Sequence, residues 1–127
     1  MEQKLTDLFP HFILATKNWC EENNLATHIL CATQKVVGLP EHIVKQFPKE
    51  IDFNISSEST PFFEIKDGKV HLTTRFNGVS TNLSVPLKGI IAVHCPEVGV
   101  CVPNYEFEPI VEDEIVVEKP KTKLRLV

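Results

Sequence analysis

The chain of 127 residues has the length of one domain with an ordinary hydrophobic core, and its net charge of −4 argues against a nucleic acid as its main partner. Its apolar runs are shorter than the ~18–20 residues that cross a bilayer, and the N-terminus lacks the basic and apolar regions of a secretory signal. These features argue against a membrane partner and predict a cytoplasmic protein. Four cysteines without CxxC spacing are expected to stay reduced: Cys20, Cys31, Cys95 and Cys101.

Residues 5–23 have the periodicity of an amphipathic helix. Apolar or small side chains recur at three- and four-residue steps and are expected to form one face: Leu5, Leu8, Phe9, Phe12, Ile13, Thr16 and Cys20. Thr6 or Asp7 can cap the start of this helix, and Pro10 is tolerated only in its first turn.

The same helix carries more apolar surface than one domain face needs. Leu14 and Trp19 lie off the main apolar face. Trp19 can simply edge the core, or helices from two copies can pack together, and the pattern leaves both interpretations open. In the second case we expect a homodimer interface that includes Phe9, Phe12, Leu14 and Trp19.

The rest of the domain has the pattern of short strands. The predicted strands are residues 27–33, 50–56, 62–65, 69–76, 79–87, 89–95 and 100–102. Lys66-Asp67-Gly68 and Asn77-Gly78 predict hairpin turns, the second more strongly, because a type I′ turn needs positive φ at both central residues. A helix followed by five to seven antiparallel strands favours a small bent sheet or a partly open barrel.

Strand parity suggests a groove for an extended peptide. Since side chains alternate along a strand, one set on strands 50–56 and 69–76 points outward. This set comprises Asp52, Asn54, Ser56, His71, Thr73 and Arg75. If these strands neighbour 89–95, the sheet adds Ile90, Ala92 and His94 to a groove with apolar walls and polar rims. An ordinary solvated sheet face fits the same pattern equally well.

Few residues have the spacing of a catalytic or metal site. His94, Cys95 and Cys101 are the candidate ligands closest in sequence, with His28 and Cys31 farther away. Neither the paired ligands of structural zinc nor the three converging ligands of catalytic zinc are evident. The chain also lacks a GxSxG motif and a glycine-rich phosphate loop. We therefore expect no metal, no cofactor and no enzymatic activity, and a site assembled only by the fold is the minor alternative.

The charge changes sign near the C-terminus. Residues 104–118 contain six carboxylates and no Lys or Arg, whereas residues 119–127 contain four bases and no acid. Alternating apolar residues also fit a final strand, but Pro109, Pro120 and the acidic block disfavour packing. The pattern favours a domain over residues 1–109, an acidic disordered linker over 110–120 and a docking peptide over 121–127.

Several short motifs share their order and spacing with one protein family. They are Trp19, Asn23, Leu25 and His28-Ile29; Ile51, Asn54 and Ile55; Arg75-Phe76-Asn77-Gly78; Ser84-Val85-Pro86-Leu87; Phe107-Glu108-Pro109; and the terminal Lys123-Leu124-Arg125-Leu126-Val127. With these motifs the chain resembles the SspB family of adaptors, which deliver tagged substrates to the ClpXP protease. Thr73-Thr74 depart from the Asn-Ala that precedes Arg-Phe in that family.

The resemblance implies a Sm-like, partly open β-barrel with an N-terminal helix at a homodimer interface. It also implies that the protein binds ssrA degradation tags on substrates in a surface groove. The terminal peptide (Lys123, Leu124, Arg125, Leu126, Val127) would dock on the N-terminal zinc-binding domain of ClpX. The resemblance and the strand parity together give the expected peptide contacts, which are Asn54, Ser56, Thr73, Arg75, Phe76, Ile90, Ala92 and His94. A Sm-like RNA-binding module is the alternative, which the acidic charge disfavours.

Overall fold

Seven short strands follow one N-terminal helix in residues 5–109, the part of the chain that the computed structural model describes. The elements are α1 (Phe9–Glu22), β1 (His28–Ala32), α2 (Glu41–Gln46), β2 (Glu50–Asn54), β3 (Phe62–Lys66), β4 (Lys69–Phe76), β5 (Val79–Pro86), β6 (Ile90–Cys95) and β7 (Val100–Pro103). The strands form two antiparallel sheets, in the orders β2-β1-β6-β7 and β3-β4-β5, which do not close into a barrel. This confirms the predicted class, mainly β with an N-terminal helix and an open arrangement of sheets. The predicted disordered tail lies outside the described residues.

Helix α1 begins later than its periodicity predicts. It starts at Phe9 and places Pro10 in the first turn, where the missing N–H leaves no helical hydrogen bond unmade. Leu8 occupies the N-cap position and no side chain caps the helix, so the predicted caps Thr6 and Asp7 are wrong. No helix within the described part is long and apolar enough to cross a membrane.

Two tight turns set the register of the three-stranded sheet. Asp67 and Gly68 have φ of 56° and 74°, and Asn77 and Gly78 have φ of 53° and 81°. Positive φ at both central residues is the signature of the type I′ turn, whose twist matches that of the flanking strands. Each turn therefore joins adjacent strands through two residues, and the prediction of both hairpins is confirmed.

The core lies between helix α1 and the inner faces of both sheets. Its members include Phe9 and Ile13 from α1, Ile29 from β1, Phe53 from β2, Leu72 from β4, Leu83 and Val85 from β5, and Ile90 and Val93 from β6. The predicted parity of β2 and β4 is confirmed, because the inward residues Ile51, Phe53, Val70 and Leu72 are all buried.

A β-bulge in β6 reverses its alternation. Leu30 of β1 pairs with Ala92, but Cys31 pairs with Ile90, so Ile91 is an extra residue on β6. Ile90 and Ala92 consequently lie on opposite faces of the sheet. The prediction that both face outward is therefore wrong for Ile90, whose side chain belongs to the core.

The four cysteines are free thiols in different environments. Cys20, Cys31 and Cys95 are buried, whereas Cys101 on the edge strand β7 is exposed. Burial raises the pKa of the Cys31 thiol far above its ordinary value, because a thiolate cannot be solvated there.

Candidate functional site

The outer face of the three-stranded sheet presents a row of side chains from all three strands. Thr73 lies in the middle, directly between Phe62 on β3 and Asn82 on β5. Its hydroxyl Oγ1 donates to Oδ1 of Asn82 over 2.8 Å. Arg75 follows two residues along β4 on the same face, opposite Ser80. The predicted outward direction of Thr73 and Arg75 agrees with this arrangement.

This face combines an apolar wall with polar and charged groups. Phe62 keeps 49% of its surface exposed, and a shallow cleft of about 470 Å³ runs past it between β3 and β5. Within residues 5–109 no carboxylate forms an ion pair with the exposed Arg75 guanidinium. Phe62, Thr73 and Asn82 line this cleft, and Arg75 follows Thr73 along β4 on the same face. We name the surface formed by these four residues the β4 groove. It can take an apolar side chain, form hydrogen bonds and pair with a carboxylate.

The outer face of the four-stranded sheet holds a different group. Asn54, His28, His94 and Cys101 stand side by side on β2, β1, β6 and β7. Asp52 lies between the two histidines, with Oδ2 2.6 Å from Nδ1 of His28 and Oδ1 2.6 Å from Nε2 of His94. Two predicted peptide contacts, Asn54 and His94, are thus brought together, but on a different sheet from Thr73 and Arg75.

Ser56 lies next to Asn54, whose Oδ1 accepts a hydrogen bond from the Ser56 backbone N–H over 2.9 Å, and near the C-terminal end of α1. It lines a cleft of about 390 Å³ together with Glu21 and Ser57. Glu21 fixes this loop to the helix, because its Oε2 accepts hydrogen bonds from Lys17 Nζ (2.6 Å) and from Ser57 Oγ (2.7 Å) and N (3.1 Å). The bond from Lys17, and next that from Ser57, lowers the pKa of Glu21. Ser56 and Thr73 line different clefts.

Three predicted peptide contacts have little surface to offer. Ile90 is fully buried and Ala92 is 5% exposed. Phe76 is half-buried and packs against the core, on the face of β4 opposite to Thr73 and Arg75. The side chains of these three residues lie outside the β4 groove. Phe62 and Asn82, which the sequence did not single out, lie in the β4 groove on either side of Thr73.

The outward side of helix α1 is apolar. Leu8, Phe12, Ala15 and Trp19 recur at four- and three-residue steps and form a second stripe beside the buried one. Phe12 and Trp19 are 39% and 44% exposed, so both keep apolar surface that their own chain does not cover. We name Leu8, Phe12, Ala15 and Trp19 the outer stripe.

Two of the residues predicted for a dimer interface do not belong to the outer stripe. Phe9 is 1% exposed and packs in the core of its own chain, so its predicted place at an interface is wrong. Leu14 is 49% exposed but lies about 160° around the helix from Phe12. The predicted docking peptide, Lys123 to Val127, lies outside the described residues.

Comparisons with known proteins identify the family of this chain. The family model of stringent starvation protein B matches residues 7–123. A stringent starvation protein B homolog from Haemophilus influenzae is 28% identical over 120 residues, which cover 93% of this chain and 77% of the relative. Because the family model spans most of the sequence, the chain belongs to the stringent starvation protein B family.

Proposed function

We propose that this protein is a non-enzymatic cytoplasmic adaptor that binds ssrA-type degradation tags and tethers their carriers to the ClpX unfoldase, which enhances proteolysis by ClpXP. The observation that carries this proposal is the β4 groove, where an exposed arginine without a carboxylate partner among the described residues lies beside an exposed phenylalanine. Membership of the stringent starvation protein B family supports an adaptor role.

The groove has the chemistry for a polar peptide with an acidic residue. The guanidinium of Arg75 can bind a carboxylate through two parallel hydrogen bonds. Thr73 and Asn82 already share one hydrogen bond and retain further capacity for the peptide backbone. Phe62 supplies an apolar contact at the edge strand β3. Such alternation of polar and apolar contacts suits an extended peptide.

Replacing Arg75 with alanine is expected to weaken tag binding about tenfold or more, because a hydrogen bond to a charged group contributes ~1.5–3 kcal/mol. The measurement is fluorescence anisotropy of a labelled tag peptide titrated with the full chain. Lys45→Ala is the control, since Lys45 is an exposed cation on α2. Unchanged affinity of the Arg75→Ala protein would place the tag elsewhere.

The outer stripe is proposed as the homodimer interface that doubles the number of tag sites and tails. Trp19→Asp is expected to weaken dimerisation by about a hundredfold or more, because an unpaired charge buried in an apolar contact costs ~3–5 kcal/mol. The measurement is light scattering coupled to size-exclusion chromatography over a range of protein concentrations.

The control for this interface is Leu14→Asp. Leu14 is as exposed as Trp19 but lies on the opposite flank of α1, so the same new charge is expected to leave dimerisation unchanged. If Leu14→Asp produces monomers and Trp19→Asp does not, the interface uses the other flank of the helix.

A further inference from the structure

Three potential metal ligands converge on the outer face of the four-stranded sheet. We propose that His28, Asp52 and His94 form a binding site for a divalent transition-metal ion of the zinc class. One ligand atom from each residue lies within 4.8 Å of the others. The site lies on the four-stranded sheet, whereas the β4 groove lies on the three-stranded sheet. It is therefore a feature beyond the proposed tag binding.

The backbone of three hydrogen-bonded strands holds these side chains together. His28 on β1 is directly opposite His94 on β6, and their ring centroids are 5.5 Å apart. On the other side of β1, Asp52 pairs with Leu30 and is therefore the diagonal neighbour of His28. Because β1 lies between β2 and β6, the ligands stand on a sheet rather than on loops. A site on rigid elements needs little ordering when an ion binds.

The distances between the three groups are close to those around a bound ion. Each histidine nitrogen that faces Asp52 is 2.6 Å from a carboxylate oxygen. With metal–ligand bonds of 2.0–2.2 Å, a tetrahedral site separates its ligand atoms by roughly 3.3 Å. Each ring therefore needs to retreat from the carboxylate by ~0.7 Å. A separation at the 4.8 Å limit of the cluster needs to shorten by ~1.5 Å, and side-chain rotations can supply both shifts.

The protonation chemistry also suits an ion. A carboxylate and a histidine ring nitrogen at hydrogen-bond distance share one hydrogen between them, and both contacts of Asp52 are of this kind. To bind an ion, each facing nitrogen gives up its hydrogen, which goes to the other ring nitrogen of a neutral imidazole or to solvent from an imidazolium. The ion is then bound by two neutral imidazoles together with the negative carboxylate. Two imidazoles and one carboxylate are the ligand set found at open zinc and iron(II) sites.

The site is open to solvent on one side. The side chains of His28, Asp52 and His94 are 21%, 36% and 23% exposed, so an ion can enter and water can complete its coordination. Cys101, directly opposite His94 on β7, carries an exposed thiol that is not one of the three converging ligands. The proposal requires only the three residues that already converge.

The test uses the full chain without an affinity tag, stripped of metal and kept reduced with a phosphine. Zn²⁺ is titrated by calorimetry and Co²⁺ by visible absorption. One ion per chain is expected, and His28→Ala, His94→Ala and Asp52→Asn are each expected to weaken Zn²⁺ binding by at least tenfold. The His11→Ala/His42→Ala double variant removes two exposed histidines elsewhere and is expected to bind as the unaltered protein does.

A second measurement does not depend on the folding of any variant. In the unaltered protein, Zn²⁺ is expected to shift the NMR signals of the His28 and His94 rings and to leave those of His11, His42 and His71 unchanged. The proposal is overturned if the unaltered protein binds no Zn²⁺ at millimolar concentration. It is also overturned if the control histidine variant loses as much affinity as His94→Ala, or if Cys101→Ser abolishes binding that His94→Ala leaves intact.

The outcome is independent of tag binding. The Arg75→Ala protein is expected to keep its full Zn²⁺ affinity, because Arg75 is on β4 of the other sheet. Zinc binding that survives without tag binding leaves the metal site standing and removes the proposed function. Tag binding without zinc binding leaves the proposed function standing and removes the metal site.

Discussion

Replacing Phe9 with alanine is expected to lower the free energy of unfolding by about 3–5 kcal/mol. Phe9 is 1% exposed and packs in the same cluster as Ile13 and Phe53, so its removal leaves a cavity lined by side chains that cannot all move inward. Such a loss is a large part of the ~5–15 kcal/mol that stabilises an ordinary domain. The measurement is urea denaturation followed by far-UV circular dichroism, at several protein concentrations.

Phe62→Ala is the matched control, since it removes the same ring from a position that is 49% exposed. We expect it to change the free energy of unfolding by about 1 kcal/mol or less. The Phe9→Ala loss should not depend on protein concentration, because Phe9 packs within its own chain. A loss that disappears at high concentration would return Phe9 to the dimer interface that the periodicity predicted.

The case of Phe9 shows what helical periodicity determines. Spacing identifies apolar residues that can share a face, and it placed Phe9 and Phe12 on one stripe. In the structure that stripe divides in two, with Phe9, Ile13 and Cys20 in the core and Phe12 on the outer stripe. The boundary between them depends on how α1 lies against the sheets, which is a tertiary property that the sequence of the helix does not contain.

The hairpins were the most predictable part of the fold. Strand β4 has the bounds that its alternation predicts, residues 69–76, because a short turn ends it on each side. Two-residue turns also fix which residues face each other: with Phe76 opposite Val79, Thr73 must be opposite Asn82. Two-residue turns at Asp67-Gly68 and Asn77-Gly78 therefore determine the register that brings Phe62 and Asn82 into the β4 groove.

The face of β6 and the His28–Asp52–His94 cluster were beyond sequence reasoning for a common reason. A bulge adds one residue and reverses the parity of every position on one side of it, and no glycine or proline marks Ile91 as its place. In the cluster, His28 is 24 residues from Asp52 and 66 residues from His94 in the sequence. Ligand-spacing rules consider only residues that are close in sequence. Both features follow from the pairing of β1 with two partners.

The proposed docking peptide raises a question of reach. About a dozen residues separate Pro109 from residues 121–127, and a flexible chain of that length has an end-to-end distance of ~20 Å. A short tether gives an effective concentration in the millimolar range if it spans the two sites, and none if it cannot. The proposed homodimer would add a second tail, so that one tail can hold the unfoldase while either groove holds the substrate.

Deleting residues 121–127 is therefore expected to abolish the stimulation of proteolysis while leaving tag-peptide affinity unchanged. At tagged-substrate concentrations well below saturation, the rate with ClpXP should fall about tenfold or more to the unassisted rate, because the substrate no longer has a raised effective concentration. The measurement is loss of fluorescence of a tagged reporter protein, with anisotropy as the parallel assay of the groove.

A control variant keeps the tail length and its charges but replaces Leu124 and Leu126 with serine. If docking depends on these apolar side chains, this variant is as inactive as the deletion; if the basic charge alone suffices, it retains stimulation. In excess, the deleted protein should slow degradation below the unassisted rate, since it still occupies the tag. Full stimulation by the deleted protein would show that the tail is not the tether and that the unfoldase contacts the folded domain.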